Sequence, residues 1–157
     1  MKKMIVVIGF LLCFALIVTL TVLLIDKNEI YKLDRQTADN YVVSNLQKFS
    51  GILIPAERLD EYDAAQIEKY KIETARYIYA ASSFCLLSSY REYENFYWLI
   101  SGLNYLSQID KLTVAITEED SYDLMYLCSH MYDKELVESL SAELVERIKP
   151  FDYSLDS

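Results

Sequence analysis

The hydrophobic pattern begins with an unbroken apolar block. Residues 4–25, MIVVIGFLLCFALIVTLTVLLI, form a run of 22 residues without one charge. At about 1.5 Å rise per residue this makes a helix of about 33 Å, enough to cross a hydrocarbon core of about 30 Å. A cleaved signal peptide has an apolar region of about 7–15 residues ending in a small-x-small site. This run is longer and ends in Val22, Leu23, Leu24 and Ile25. The pattern predicts an uncleaved transmembrane anchor. Lys2 and Lys3 precede it, whereas Asp26 and Glu29 follow closely. The positive-inside bias then makes residues 1–3 a cytoplasmic N-terminus and sends residues 26–150 across the membrane as an exported domain. Residues 151–157, FDYSLDS, read as a flexible acidic tail.

Beyond the anchor the spacing becomes helical. Ile30, Leu33, Thr37 and Tyr41 lie on one side of a helix, and Val42, Leu46 and Phe49 shift the stripe to another. Gly51 and the Ile54-Pro55 pair interrupt it. A long helix follows over Tyr62 to Ser88, with Ile67, Tyr70, Thr74, Ile78, Ala81 and Cys85 as its stripe. Ile72, Ala75, Tyr79 and Leu86 widen that stripe and predict neighbours on more than one side. Ser89-Tyr-Arg-Glu92 has capping-box spacing and predicts a helix from there to about Ile109. KLTVAIT, residues 111–117, alternates apolar and polar positions. It suggests a minor two-stranded ribbon, residues 112–116 against 52–54, or an extended connection. Thr117 ahead of Glu118, Glu119 and Asp120 is a helix start, and Asp133 starts the last helix, which carries Leu136, Val137, Leu140, Leu144 and Ile148. The fold class expected is all-α: an anchor followed by a compact bundle of about five helices.

Composition supports that class. After residue 25 only Gly51, Gly102, Pro55 and Pro150 punctuate the chain, too few breakers for a turn-rich β architecture. The same portion holds 13 basic and 24 acidic residues, a net charge of −11. That balance disfavours nucleic acid and anionic headgroups, and either attracts a basic protein partner or only keeps an exported domain soluble. It sets no oligomeric state. Cys85 and Cys128 would lie in a compartment that permits a disulfide, and are either a pair or two buried thiols.

The candidate chemistry is thin. His130 is the only histidine, with Asp123 and Asp133 seven before and three after it, a looser spacing than metal ligands use. Cys128 and His130 are two apart on a helix and point about 200° apart, so they cannot act as nucleophile and base. Glu118, Glu119, Asp120 and Asp123 are the densest carboxylate group; a helix start already accounts for them, and a wall-sugar hydrolase is the alternative. No metal, no cofactor and no catalytic residue is assigned. Tyrosine is the unusual resource at 14 residues. Within ENFYWLISGLNYL, residues 94–106, Trp98 and Tyr105 fall seven apart beside Ser101 and Gly102. These four are the candidate partner-binding residues, because Trp and Tyr combine large apolar area with a polar tip. The stretch from Trp98 to Tyr105 is similar over eight residues to the first helix of a tetratricopeptide repeat. Val114 and Glu118 then stand where that repeat needs a small residue and an aromatic, so no repeat is assigned. The functional expectation is a membrane-anchored, non-enzymatic protein-binding protein of the cell envelope. Its alternatives are an immunity or inhibitor protein against a basic exported toxin or hydrolase, and a wall-acting hydrolase.

Overall fold

The structure is a computed structural model that describes residues 2–149, without the side chains of residues 2–16, 18, 22, 23, 25, 26, 28 and 30. The expected tail, 151–157, and most side chains of the expected anchor, 4–25, therefore lie outside the described residues. Among the described residues there are six α-helices, two 3-10 helices and no strand. No helix among them is long and apolar enough to cross a membrane.

The chain divides into two compact units, Met1–Arg35 and one beginning at Gln36. Helix α1, Lys2–Ile52, contributes to both. In the first unit the described apolar side chains Ile17, Leu20 and Leu24 are exposed, and the Thr21 hydroxyl donates to the Ile17 carbonyl one turn back at 2.8 Å.

In the second unit α1 buries Ala38, Val42, Leu46 and Phe49, at helical spacing. Tyr41, on the neighbouring side, is half exposed and stacks on Phe84 at 4.6 Å between ring centres. After Pro55 a 3-10 helix, Ala56–Glu61, leads to α2, Ala64–Cys85. A capping box starts α2: Asp63 accepts from the Gln66 N–H at 2.8 Å, and the Gln66 side chain accepts from the Asp63 N–H at 2.9 Å. Its buried stripe is Tyr70, Thr74, Ile78, Ala81 and Cys85. Ile72, Tyr79 and Leu86, expected to widen that stripe, are exposed instead. Ala75 is partly buried, and α2 packs against α3, Glu94–Gln108, as well as meeting α1 through Phe84.

The next junction also departs from the expected pattern. Ser89–Glu92 is a separate 3-10 helix, and α3 begins later, running over Glu94–Gln108. The Ser88 hydroxyl accepts from the Tyr90 N–H at 3.2 Å. Asp39, from α1, accepts from the Ser89 N–H at 2.6 Å and from its hydroxyl at 2.8 Å. A carboxylate fifty residues away thus does the work expected of a local capping box. Glu138 in turn accepts from the Asn95 N–H at 2.9 Å, satisfying one free donor at the start of α3. Helix α3 is the central element, burying Phe96, Leu99, Ile100, Gly102, Leu103 and Leu106 against α2 and against α6, Lys134–Ile148.

The expected ribbon is absent. Residues Leu112–Ala115 form a single helical turn, α4. Asp110 adopts φ 61° after α3, and the Lys111 N–H reaches back to the Leu106 carbonyl at 2.9 Å, closing the helix end. The buried side chains are Leu112, Thr113 and Ile116, while Val114 is exposed. That is helical spacing, and seven residues are too few to separate it from alternation. One backbone bond, the Ala56 N–H to the Ile116 carbonyl at 2.9 Å, joins the two expected strands.

Helix α5, Glu118–Ser129, starts as its sequence suggests. Thr117 and Asp120 form a capping box, with the Thr117 hydroxyl donating to Asp120 at 2.6 Å. Asp133 caps α6 by accepting from the Leu136 N–H at 3.1 Å, and Lys149, at φ 44°, ends it in the left-handed region.

Candidate interaction surface

The four residues singled out in α3 lie on one side of the helix but differ in exposure. Trp98 is 48% exposed and meets Tyr97 edge-on, with ring centres 5.8 Å apart. Ser101 and Tyr105 are only partly exposed, and Gly102 is buried. Gly102 belongs to the core, and Trp98 alone of the four presents a large accessible surface.

A broader apolar surface lies on α5. Its inner side sends Ser121, Leu124, Leu127 and Cys128 into the core. Its outer side carries Tyr122, Met125 and Tyr126, which are 64%, 49% and 50% exposed. These fall at i, i+3 and i+4, one patch of the helix surface. Tyr126 extends the patch past the helix end: its ring lies 4.2 Å from that of His130, and His130 lies 6.1 Å from Tyr132, which is 84% exposed. The His130 ring is fixed by Nδ1, 2.9 Å from the Tyr126 carbonyl and 3.0 Å from the Ser129 hydroxyl. Exposed large residues are ordinary when scattered; a continuous band is not. The sequence signal was the spacing of Tyr122, Met125 and Tyr126, which was legible but outweighed by the denser aromatics of α3.

The carboxylates of α5 have a structural assignment. Arg147, from α6, places Nη1 2.9 Å from Glu119, Nε 3.1 Å from Asp120 and Nη2 against Asp123. Asp120 is only 3% exposed. Its Oδ2 takes the Thr117 N–H and hydroxyl, while its Oδ1 faces the guanidinium as an ion pair without hydrogen-bond alignment. One guanidinium thus ties three side chains of α5 to α6 and raises its own pKa further. A glycoside hydrolase holds two carboxylates across a space large enough for a sugar. Here Glu119, Asp120 and Asp123 converge on one cation. Asp133 is engaged as the α6 cap, which leaves His130 no carboxylate pair for a metal.

Cys85 and Cys128 are free thiols, both buried, so the disulfide open to them is not formed. Burial pushes each up to about 11 from an ordinary value of 9.0, and their hydrogen-bonding neighbours differ: Ser88 for Cys85, Ser50 for Cys128. A thiol held protonated in this way is a poor nucleophile. A shallow groove of about 210 Å³, lined by Ile52, Ile54, Tyr62, Gln66, Lys69, Tyr70 and Glu73, is smaller than the about 300–1,000 Å³ typical of small-molecule sites. No family model matches the chain, and no curated protein or solved structure matches it either, so its surface has to speak for its function.

Proposed function

We propose that this chain is a single-pass membrane protein whose helical domain binds another protein and performs no chemistry of its own. The observation that carries the reading is the band of exposed Tyr122, Met125, Tyr126 and Tyr132, linked through partly buried His130. Tyrosine and methionine are enriched at protein interfaces, where a large ring and an adaptable thioether bury area at low entropic cost. The band sits on a helix fixed from behind by the core and by Arg147, so little ordering is lost on docking. Trp98 is retained as a second contact. The anchor rests on the uncharged run 4–25, on the exposure of Ile17, Leu20 and Leu24, and on the Thr21 hydroxyl being satisfied within its own helix. An immunity or inhibitor protein is the specific form of this function that the acidic charge favours.

Photo-crosslinking in the intact, membrane-embedded chain tests it. A photoreactive residue at position 126 should give a discrete adduct with one protein, and Tyr122→Ser should suppress it. The same probe at exposed Lys69, on α2, should give none. Equal labelling from positions 126 and 69 would remove the band as a docking surface.

A further inference from the structure

We infer that the α5 band receives a cationic segment of its partner, a helix or strand bearing lysine or arginine beside apolar side chains. The inference rests on reading the band as a docking surface and adds the chemistry of what docks there. From Thr117 to Asp133 the chain carries five carboxylates and no lysine or arginine. The carboxylates bracket the rings. Glu118 and Glu119 are exposed at one end, where Glu57 joins them by accepting from the Glu118 N–H at 3.1 Å. Asp133 and Glu135 are exposed at the other.

The nearby cations are turned to other tasks. Arg147 spans three carboxylates from the α6 side, Lys134 lies over the Tyr93 ring at 4.9 Å, and Arg58 is held by Glu61 at 2.9 Å. The last turn of α5 adds the negative pole of its dipole near His130. A lysine or arginine stem can lie along Tyr122 or Tyr126 while its head reaches a flanking carboxylate, combining stem burial, ring–cation attraction and ion pairing. A second copy of this chain is the wrong occupant. Residues 26–157 carry a net −11, so two such surfaces repel. Phosphate backbones and anionic lipid are excluded by the same sign.

The test uses the full chain in a zwitterionic nanodisc, with the Met125 methyl isotopically labelled. The probes are amphipathic leucine–lysine peptides of about 14 residues, long enough to span α5, and matched peptides with glutamine or glutamate for lysine. The lysine peptide should shift the Met125 methyl and bind at least about tenfold tighter than the glutamine peptide. Its affinity should fall by about tenfold as ionic strength rises from about 0.1 M to about 1 M, where the screening length drops from about 10 Å to about 3 Å. Tyr122→Ser combined with Tyr126→Ser should abolish the shift with the helical circular dichroism unchanged, and Glu118→Gln should weaken binding. Equal shifts from lysine and glutamine peptides would overturn the cationic inference and leave the docking reading standing. Lysine-peptide binding that survives the double tyrosine change is diffuse attraction and overturns it as well. A shift by the glutamate peptide alone reverses its sign. If no peptide moves Met125 while position 126 still crosslinks in the membrane, the inference falls alone; if both fail, the docking surface falls with it.

Discussion

Burial of single ionisable groups gives the domain a definite response to alkali. Cys85 and Cys128 are pushed up to about 11 from 9.0, and Tyr70 and Tyr90 to about 12 from 10.0, by desolvation in each case. All four hold their proton more tightly when folded. Their contribution is complete below the unfolded values of 9.0 and 10.0, and is lost as pH rises through about 11 and then about 12. Urea midpoints should therefore be level from neutral pH to about 9 and fall steeply above it. In a Cys13→Ser background the two remaining thiols should resist alkylation at neutral pH until the domain unfolds. Rapid labelling of the native protein would show that the sites open. Three residues of this set were legible in sequence: Tyr70 and Cys85 fall on the predicted α2 stripe, and Cys128 was expected as a pair with Cys85 or as a buried thiol. The role of Asp39 was not, because its partner Ser89 is fifty residues away and no local spacing encodes that bond.

At the level of elements, long stripes were readable and short segments were not. The buried stripes recur over about four turns of α2 and about three of α6, which suffices to fix a period. The turn 112–115 and the 3-10 helix 89–92 are shorter than any period test, and tertiary contacts decided them: the Ile116 carbonyl meets Ala56, and Asp39 meets Ser89. Gly51, read from the sequence as the end of a helix, sits in the last turn of α1, which stops one residue later at Ile52. A methyl group on Gly51 would meet nothing within 4 Å. Gly51→Ala should accordingly stabilise the domain, by up to about 0.5 kcal/mol so near the helix end, as thermal or urea unfolding would report. A loss of stability would mean that the last turn of α1 is not helical in solution. The exposure of the α3 candidates was hard to read for a related reason. An amphipathic pattern shows which residues share a side, but only the packing of α3 between α2 and α6 shows that Gly102 faces inward.

For the whole molecule, the boundary between the two units falls at Gln36 rather than at the end of the uncharged run. The core explains this, since Ala38 is the first of the described side chains of α1 to be buried and Val42, Leu46 and Phe49 follow it inside. A chain beginning at Gln36 should thus fold with native-like cooperativity, whereas one beginning at Ser50 loses three fully buried side chains and should not. Losses of about 2–5 kcal/mol for each large aliphatic or aromatic residue removed from a core exceed the margin of a domain this size. Circular dichroism and urea titration of both truncations distinguish the cases; equal cooperativity would detach α1 from the core.

Helix α5 presents Leu124, Leu127 and Cys128 to the interior and Tyr122, Met125 and Tyr126 to the outside. On the function proposed above, stability and recognition lie on opposite sides of one short segment. Substitutions on the outer side leave every core contact in place, so the identity of the partner can drift while the architecture stays fixed. A bundle arranged in this way could acquire a new partner by changing a handful of side chains, with neither a new loop nor an added domain.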